Sequence, residues 1–388
     1  MDPVANPYTP NAGSRPPELA GRDGELRQFE VLLGRLEQGT TEQSMIVKGL
    51  RGVGKTVLLN AFEDQAESAG FLTYYHELTP ETGLAQDIAR DAEKALTRLS
   101  LGERMSVKVR NSLAHLRTIK LSGPDGFGLE IDLTGADEGT LTSDMTDLFQ
   151  QLGAAAKSKN RGVAFLLDEV QFADETHFRA LISALHRATQ KSLPITVAAA
   201  GLPQIPRLSG EARSYAERLF SFPTIGNLDT REATTALLEP ARRRDVGYEP
   251  EAVARVLEWT AGYPFYIQQL GKHAWNLAEA SPITLADVEA AIPNAVATLD
   301  SSVYEVRIQR ASPSERTYLR AMAELGDGPY RSGDVARLLD RPSTAASGMR
   351  QDLIDKGLIY ATEDYGHIDF SIPRFAEFMR RYMDHAQR

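Results

Sequence analysis

Eight residues, "GLRGVGKT" at positions 49–56, constrain this chain more than any other stretch, because they place three glycines, a lysine and a threonine between the apolar run "MIV" and the helix-like "VLLNAFEDQAESAG". They fit the pattern G-x-x-x-x-G-K-S/T at every required position, with Gly49, Gly54, Lys55 and Thr56 in the fixed slots. At average residue usage a chance match in a chain of 388 residues is roughly a one per cent event, before the flanking strand and helix are asked for. The physical need is a loop whose backbone N–H groups curl around phosphate oxygens, which requires residues that tolerate unusual φ/ψ. Gly49, Gly52 and Gly54 are expected to supply that freedom, and Leu50, Arg51, Val53 and Val57 complete the loop and its exit. A helix starting near Lys55 would aim its N-terminus at the same phosphates, with Lys55 reaching the β and γ groups and the Thr56 hydroxyl offered to Mg2+. The implied ligand is a nucleoside triphosphate, ATP or ADP with Mg2+.

Such a loop needs an acidic partner, and "VAFLLDEVQ" supplies one: an apolar strand ending in Asp168 and Glu169. Strand ends are where open α/β sheets put their chemistry. Asp168 is expected to serve the metal through water, and Glu169 to orient or deprotonate the attacking water, because phosphoryl transfer is mostly positioning and electrostatic stabilisation.

Composition narrows the remaining classes. A chain of 388 residues that is 42% hydrophobic has material for two or three cored domains. With no cysteine, disulfides, thiolate zinc sites and thiolate catalysis are excluded, and the seven histidines form no ligand-spaced cluster. A formal charge of -10 argues against sequence-independent wrapping of nucleic acid, although a local basic patch survives in an acidic chain. The leader "MDPVANPYTPNAGSRPPELAGR" lacks the basic-then-apolar pattern of a signal peptide, and no apolar run approaches the about 18 residues of a membrane span, so a cytoplasmic location is expected.

Along the chain, Leu26, Phe29, Leu32, Leu33 and Leu36 recur at helical spacing and stop at Gly39. "SMIVKG" and "FLTYYHEL" bracket the helix after the glycine-rich loop, a strand–helix–strand unit that implies a parallel sheet. "GVAFLLDE" and "PITVAAAG" add strands around an amphipathic stretch at 173–190, and "FSFP" can close the sheet. "HLRTIKLSG", "PDG" and "FGLEIDLTG" predict an inserted hairpin at about 115–135. The text is helical from about 229 to 300 and changes again from about 312.

With these pieces in place, the chain resembles the AAA+ and STAND group of P-loop ATPases, near the archaeal-type ATPases and the origin-recognition initiators. The fold class this implies is α/β, a P-loop parallel-sheet AAA+ core over 1–225 with the hairpin insertion, a helical lid over 226–300 and a winged-helix domain over 301–388. "PPELAGRDGEL" looks like the segment that cups adenine in this group, which implicates Leu19, Ala20, Gly21 and Arg22; by itself it is a proline-led helix entry. "GYP" at 262–264 looks like the G-x-P element of the STAND lid, where Pro264 lies against the nucleotide; equally, glycine ends one helix there and proline starts the next. The sensor arginine of an ordinary AAA+ lid is not found, and "PITVAAAGLPQ" carries Ala200 and Gly201 where a polar sensor is usual, leaving Gln204 as a substitute. "GEARSYAERLFSFP" lies where AAA+ proteins keep an arginine finger, with Arg218 the better placed candidate and Arg213 second.

The C-terminal text, "SGDVARLL", "DRPST", "AASGMRQDLIDKGLI" and two strand-like runs, reads as a winged helix, a module that often enters the major groove. Residues 301–388 balance 13 Lys and Arg against 13 Asp and Glu, and within the recognition helix Arg350 and Lys356 are offset by Asp352 and Asp355. Arg104, Lys108, Arg110, Arg117 and Lys120 form a more basic stretch at 104–120, either a solvated face or a DNA contact. "RRR" at 242–244 follows a helix whose negative end it favours. The expected function is an ATP-binding, slowly hydrolysing switch whose nucleotide state controls self-association or a protein partner; a DNA-binding ATPase resembling initiators or transposition regulators is the rival.

Overall fold

The computed structural model describes residues 1–11, 13, 16–99, 137–203, 217–362 and 364–386. The expected hairpin at about 115–135, the basic stretch 104–120, Gln204 and Arg213 lie outside the described residues.

Helix α1 (Asp23–Glu37) leads into strand β1 (Ser44–Lys48), helix α2 (Lys55–Ser68) and strand β2 (Leu72–Glu77). Helices α3 (Leu84–Leu99) and α4 (Asp137–Ser158) precede β3 (Val163–Asp168), and α5 (Glu175–Gln190) joins it to β4 (Ile195–Gly201); β5 (Phe220–Ser221) is short. The strands form one sheet in the order β2-β3-β4-β1-β5, and every pairing is parallel. Burial on both faces explains the continuous apolar runs, and the two-residue alternation of a strand sorts them. Met45 and Val47 of β1, with Ala164 and Leu166 of β3, pack with α1 and α2. Ile46, Val163, Phe165 and Leu167 point the other way, into the core with α3, α4 and α5. The long α4 had no expectation attached to it in the sequence.

Four further helices follow, α6 (Thr230–Arg242), α7 (Pro250–Thr260), α8 (Pro264–Leu277) and α9 (Leu285–Leu299). Reciprocal caps fix their starts: Asp229 with Glu232 for α6 and Thr284 with Asp287 for α9. The N-terminal segment is sewn onto this group, with the Tyr8 hydroxyl donating to the Leu237 carbonyl at 2.7 Å, Asn6 Nδ2 to the Lys272 carbonyl at 3.0 Å and Trp275 Nε1 to the Asp2 carbonyl at 2.9 Å.

A π-helical turn (Asp300–Tyr304) and the short α10 (Glu305–Ile308) lead to the last part of the chain. Here α11 (Pro313–Glu324), β6 (Tyr330–Arg331), α12 (Ser332–Leu338), α13 (Ser343–Asp355), β7 (Ile359–Ala361), β8 (His367–Phe370) and α14 (Phe375–Ala386) follow one another, and the strands make an antiparallel sheet in the order β6-β8-β7. Tyr304, Phe375 and Phe378 cluster beneath it with ring centroids 5.2–5.6 Å apart. One apolar cluster runs without a break from Phe29 through Leu237 and Trp275 to Phe375, so the sheet's α1/α2 face, the helical group and the C-terminal region share a core. No helix among the described residues is long and apolar enough to cross a membrane.

Gly262 joins α7 to α8 with φ +73, and a Cβ there would stand 2.2 Å from the Leu228 carbonyl oxygen. That carbonyl belongs to a residue whose own N–H donates to Gly262 O at 2.8 Å, so the two backbones are locked together. Gly262→Ala combines a left-handed φ with a backbone clash, and it is expected to cost roughly 2–4 kcal/mol. The check is the urea unfolding midpoint, which falls relative to the parent chain.

Candidate functional site

The glycine-rich loop leaves β1 at the carboxyl edge of the sheet, where Lys48 pairs with Gly201 and Glu77 with Asp168. Gly52 (φ +81) and Gly54 (φ +95) take backbone conformations that other residues resist, and Gly54 caps α2 so that the helix begins at Lys55. Gly49 departs from expectation. It has no positive φ; a Cβ would meet the Ile225 carbonyl oxygen at 2.5 Å, so close packing of the β1 exit against the segment after β5 demands glycine there. Lys55 is only 6% exposed, and its Nζ donates to the carbonyls of Gly49 at 3.0 Å and Leu50 at 2.8 Å. Burial pushes its ammonium down to about 8, against the opposing pull of Glu169 and Asp168.

Asp168 is buried at the end of β3 and collects three donors: Thr56 Oγ1 at 2.5 Å and the Tyr75 hydroxyl at 3.1 Å on Oδ2, and the Glu169 N–H at 2.8 Å on Oδ1. Glu169 follows in a left-handed conformation (φ 53°, ψ 40°) that turns its carboxylate back toward the loop. There Arg51 Nη1 donates to Glu169 Oε1 at 2.9 Å, and Gln171 Nε2 donates to Oε2. Burial alone would raise the Glu169 carboxyl; Arg51, Lys55 and Gln171 outweigh it and hold it below the usual carboxylate range. Gln171 also accepts the Leu202 N–H at 3.1 Å. It places a polar side chain beside the β4 exit, where Ala200 and Gly201 carry none.

These residues stand at one end of a cleft of about 870 Å³. Arg51, Gly52, Val53, Gly54, Lys55, Thr56, Val57 and Glu169 line it, whereas Gly49, Leu50 and Asp168 lie behind its wall. Leu19, Ala20 and Arg22 line it too; Gly21 turns the chain there at φ +67 against the Glu232 carboxylate. Arg22 is 6% exposed and is spent on carbonyls, those of Gly21 at 2.8 Å, Val53 at 3.0 Å and Gly226 at 2.8 Å, so it clamps the loop to the N-terminal segment and the approach to α6. Pro264 is the first residue of α8, and it also borders the cleft, so its helix-starting and cleft-lining positions coincide.

The cleft holds residues that local sequence signals do not reveal. Thr9 and Pro10 of the proline-rich leader line it, as do Arg307 and Arg310 from α10 and its end. No arginine was expected on this side of the site. Burial, with Arg51 and Arg310 as like-charged neighbours, lowers Arg307 to about 10, and Glu169 opposes that shift. Among the described residues, Arg22, Arg51, Lys55, Lys272, Arg307 and Arg310 line the cleft with two carboxylates, Glu18 and Glu169. The surplus of positive charge is what a polyanion requires.

Arg218 lies elsewhere. It is exposed just before β5, whose Phe220 pairs with Ser44 at the start of β1, so it sits at the amino edge of the sheet. The five residues of β1 separate it from the loop by roughly 13 Å along the strand. On α13, the Lys356 cap is turned inward, with Nζ donating to both carboxylate oxygens of the buried Glu315 at 2.8 and 2.7 Å, and Arg350 Nη1 rests on Ser332 Oγ at 3.5 Å. Of "RRR", Arg242 pairs with Glu239, and Arg243 reaches the Pro17 carbonyl and the Glu18 carboxylate, tying down the leader.

Comparison with known proteins gives two family matches. Residues 18–198 match the model described as AAA ATPase domain, and residues 301–379 match a domain of unknown function (DUF8462). A curated relative, an HTH-type transcriptional regulator of Methanocaldococcus jannaschii, is 22% identical over 367 residues, 92% of this chain and 87% of its own length. Among solved structures, the Walker-type ATPase of Pyrococcus abyssi superposes with a TM-score of 0.59 at 15% identity, covering 94% of this chain and 97% of that one. The Orc1 protein of Aeropyrum pernix, solved in complex with DNA, gives 0.47 at 16% identity over 96% and 95%.

The burial of Lys55 has a thermodynamic sign. Its folded pKa lies below the ordinary 10.5, so the unfolded chain binds more protons and this residue costs stability below about pH 8, a cost that fades as pH rises toward 10.5. The shift sets a ceiling of about 3 kcal/mol, reduced by about 1 kcal/mol for each carbonyl hydrogen bond lost on substitution. Lys55→Met is therefore expected to stabilise the ligand-free chain by roughly 1 kcal/mol at pH 7, less above pH 9. Urea melts across that pH range check it; a Lys55→Met chain weaker than the parent at pH 7 contradicts it.

Proposed function

We propose that this chain, whose residues 18–198 form an AAA ATPase domain on a P-loop AAA+ fold, binds ATP with Mg2+, hydrolyses it slowly, and uses the bound nucleotide to set how its parts and neighbouring chains pack. The observation that carries this reading is the meeting of Lys55, Thr56 and Glu169 in the lining of one cleft, with Asp168 bonded to Thr56 just behind its wall. The loop N–H groups and the start of α2 receive the phosphates, and Lys55, already stripped of water, turns its ammonium from the Gly49 and Leu50 carbonyls to the β and γ oxygens. Leu19, Ala20, Arg22 and Pro264 line the same cleft, where they would border the base.

The metal position passes a chemical test. Thr56 Oγ1 and Asp168 Oδ2 converge to 2.5 Å beside the loop, a hydroxyl and a carboxylate that suit a hard cation whose other ligands are phosphate oxygens and water. Mg2+ held there by Thr56 and Asp168 would supply positive charge to the transferring phosphoryl group. Glu169 then takes the proton of the attacking water. In this arrangement Arg51 and Gln171 occupy both of its oxygens, which keeps it from water and fits slow turnover.

The parts divide, on this reading, into a core over 1–225, a helical lid over 226–300 and a winged-helix domain over 301–388, the last supported by its order of helix, strand, two helices and two strands. The printed description of the Methanocaldococcus jannaschii relative keeps duplex DNA as a second reading. The inward pairing of Lys356 with Glu315 does not favour it at α13. Titration with duplex DNA across salt separates the readings, since phosphate contacts give a steep salt slope.

Two outcomes test the primary reading. Lys55→Ala is expected to remove most ATP affinity in calorimetric titration, and Glu169→Gln to bind ATP while turning over at least roughly a hundredfold more slowly. Unchanged binding by a folded Lys55→Ala chain, or parental turnover by Glu169→Gln, refutes the corresponding role. Arg218, out of reach of its own loop, is expected to act on the nucleotide of a neighbour: activity per chain rises with protein concentration, and Arg218→Ala mixed with Lys55→Ala recovers turnover that neither has alone. Flat specific activity together with a fully active Arg218→Ala makes the arginine a surface charge only.

A further inference from the structure

We infer that Tyr75, on β2, is a positioning residue for the divalent cation: its hydroxyl holds the Asp168 carboxylate in the orientation in which that carboxylate and Thr56 receive Mg2+. The inference rests on the nucleotide reading of the cleft and deepens it, giving the metal side of that site a residue that lies outside both the glycine-rich loop and the acidic strand end.

The position of Tyr75 follows from the sheet. In the parallel pairing of β2 with β3, Tyr75 stands opposite Leu166 and Glu77 opposite Asp168. Paired residues of neighbouring strands share a face, so Tyr75, Leu166 and, two residues on, Asp168 belong to the side where α2 packs, with Thr56 in its first turn. The Tyr75 hydroxyl donates to Asp168 Oδ2 at 3.1 Å, the same oxygen that takes Thr56 Oγ1 at 2.5 Å. The opposite face of β2 fixes the strand. There the Tyr74 ring lies 5.8 Å from that of Phe165, and His76 Nε2 bonds to Asp91 of α3, whose Oδ1 takes Lys94 Nζ at 2.7 Å.

The three donors to Asp168 have different duties. The Glu169 N–H on Oδ1 is main chain and moves only with the turn after β3. The Thr56 hydroxyl has to turn its lone pairs to a bound cation. Tyr75 has no second task, and it stays a donor: burial first, then the charge of Asp168, pushes its phenol well above the ordinary value, so no phenolate forms beside the carboxylate. Asp168 is 3% exposed, which leaves little water to replace a lost donor. A carboxylate that serves a metal is oriented by such outer hydrogen bonds, and removing one commonly weakens metal affinity by about 10–100-fold.

Tyr74 supplies a comparison within the same strand. Its ring packs into the core with α3, α4 and α5, and its hydroxyl is buried without a hydrogen-bond partner among the described residues. Two adjacent tyrosines, both packed through their rings, thus differ in whether the hydroxyl meets the acidic end of β3. Loss of the Tyr74 hydroxyl reports what any small change in β2 does; loss of the Tyr75 hydroxyl adds what Asp168 feels.

The experiment uses the full chain and titrates a non-hydrolysable ATP analogue by calorimetry, in EDTA and at a series of Mg2+ concentrations, into the parent, Tyr75→Phe and Tyr74→Phe. Tyr75→Phe keeps the ring and removes the hydroxyl. It is expected to raise the Mg2+ concentration that gives half of the metal-dependent gain in affinity by about tenfold or more, and to recover the parental affinity when Mg2+ is raised further. Its affinity in EDTA is expected to stay within about twofold of the parent, because the loop contacts to phosphate are untouched. Tyr74→Phe is expected to leave the Mg2+ half-point where the parent has it. An unchanged half-point in Tyr75→Phe, or equal loss of affinity with and without Mg2+, overturns the inference and leaves the nucleotide reading standing. A Tyr74→Phe chain that shifts the half-point as far as Tyr75→Phe also overturns it, in favour of a general loosening of β2. A parent that binds the analogue equally well in EDTA and in Mg2+ overturns the inference together with the metal position, and a parent that does not bind the analogue at all overturns the nucleotide reading as well.

Discussion

A lysine ammonium without water organises this molecule. Lys55 is 6% exposed at the first position of α2, and its burial is tolerated because two carbonyls of its own loop and two carboxylates at the end of β3 stand around it. Those neighbours fix the rest. The carbonyls require a loop that curls back on itself, hence the left-handed Gly52 and Gly54; the carboxylates require β3 to end level with β1, which the register through β4 enforces. Arg51 and Arg307 add positive charge beside them, and although Glu169 pairs with Arg51 the cleft lining remains cationic.

The site is also where four separate stretches of chain meet. The leader reaches it through Thr9 and Pro10, the sheet through residues 51–57 and Glu169, the helical group through Tyr263 and Pro264, and the C-terminal region through Arg307 and Ile372. Because one apolar core underlies them, a shift at the loop cannot be absorbed by a flexible linker alone. It has to move packed surfaces such as the Tyr266–Tyr304 pair, whose hydroxyls are 2.7 Å apart and both donate toward the Pro373 carbonyl.

Legibility in the sequence follows the range of the interactions. Lys55, Thr56 and Asp168 were readable because a phosphate loop and an acidic strand end are local patterns, and the parallel sheet was readable because apolar runs of strand length alternate with helical text. Gly49 was readable as a required glycine but for the wrong reason, since its constraint comes from Ile225, some 176 positions away, and not from its own dihedrals. The pairing of Glu169 with Arg51 spans 118 positions, and Gln171 fills the polar gap beside β4 from the other side of the β3 loop. Arg307 had no signal at all: it is one arginine in a charge-neutral stretch, and only the turn at Asp300–Tyr304 brings it back to the cleft. The proline-rich leader has no periodicity to announce a packed segment, yet Tyr8 is 2% exposed and belongs to the core.

The two arginine positions divide the problem that a phosphate switch has to solve. Arg307 lines the cleft of its own chain from α10. Arg218 is exposed at the amino edge of the sheet, and on the proposed reading it serves a cleft on another chain. Binding and hydrolysis are then governed by different contacts. Glu169 is engaged by Arg51 in the ligand-free chain, and on the proposed reading transition-state charge stays unmet until a neighbour supplies Arg218. On the proposed reading such a chain holds ATP when alone and hydrolyses it when packed against a neighbour.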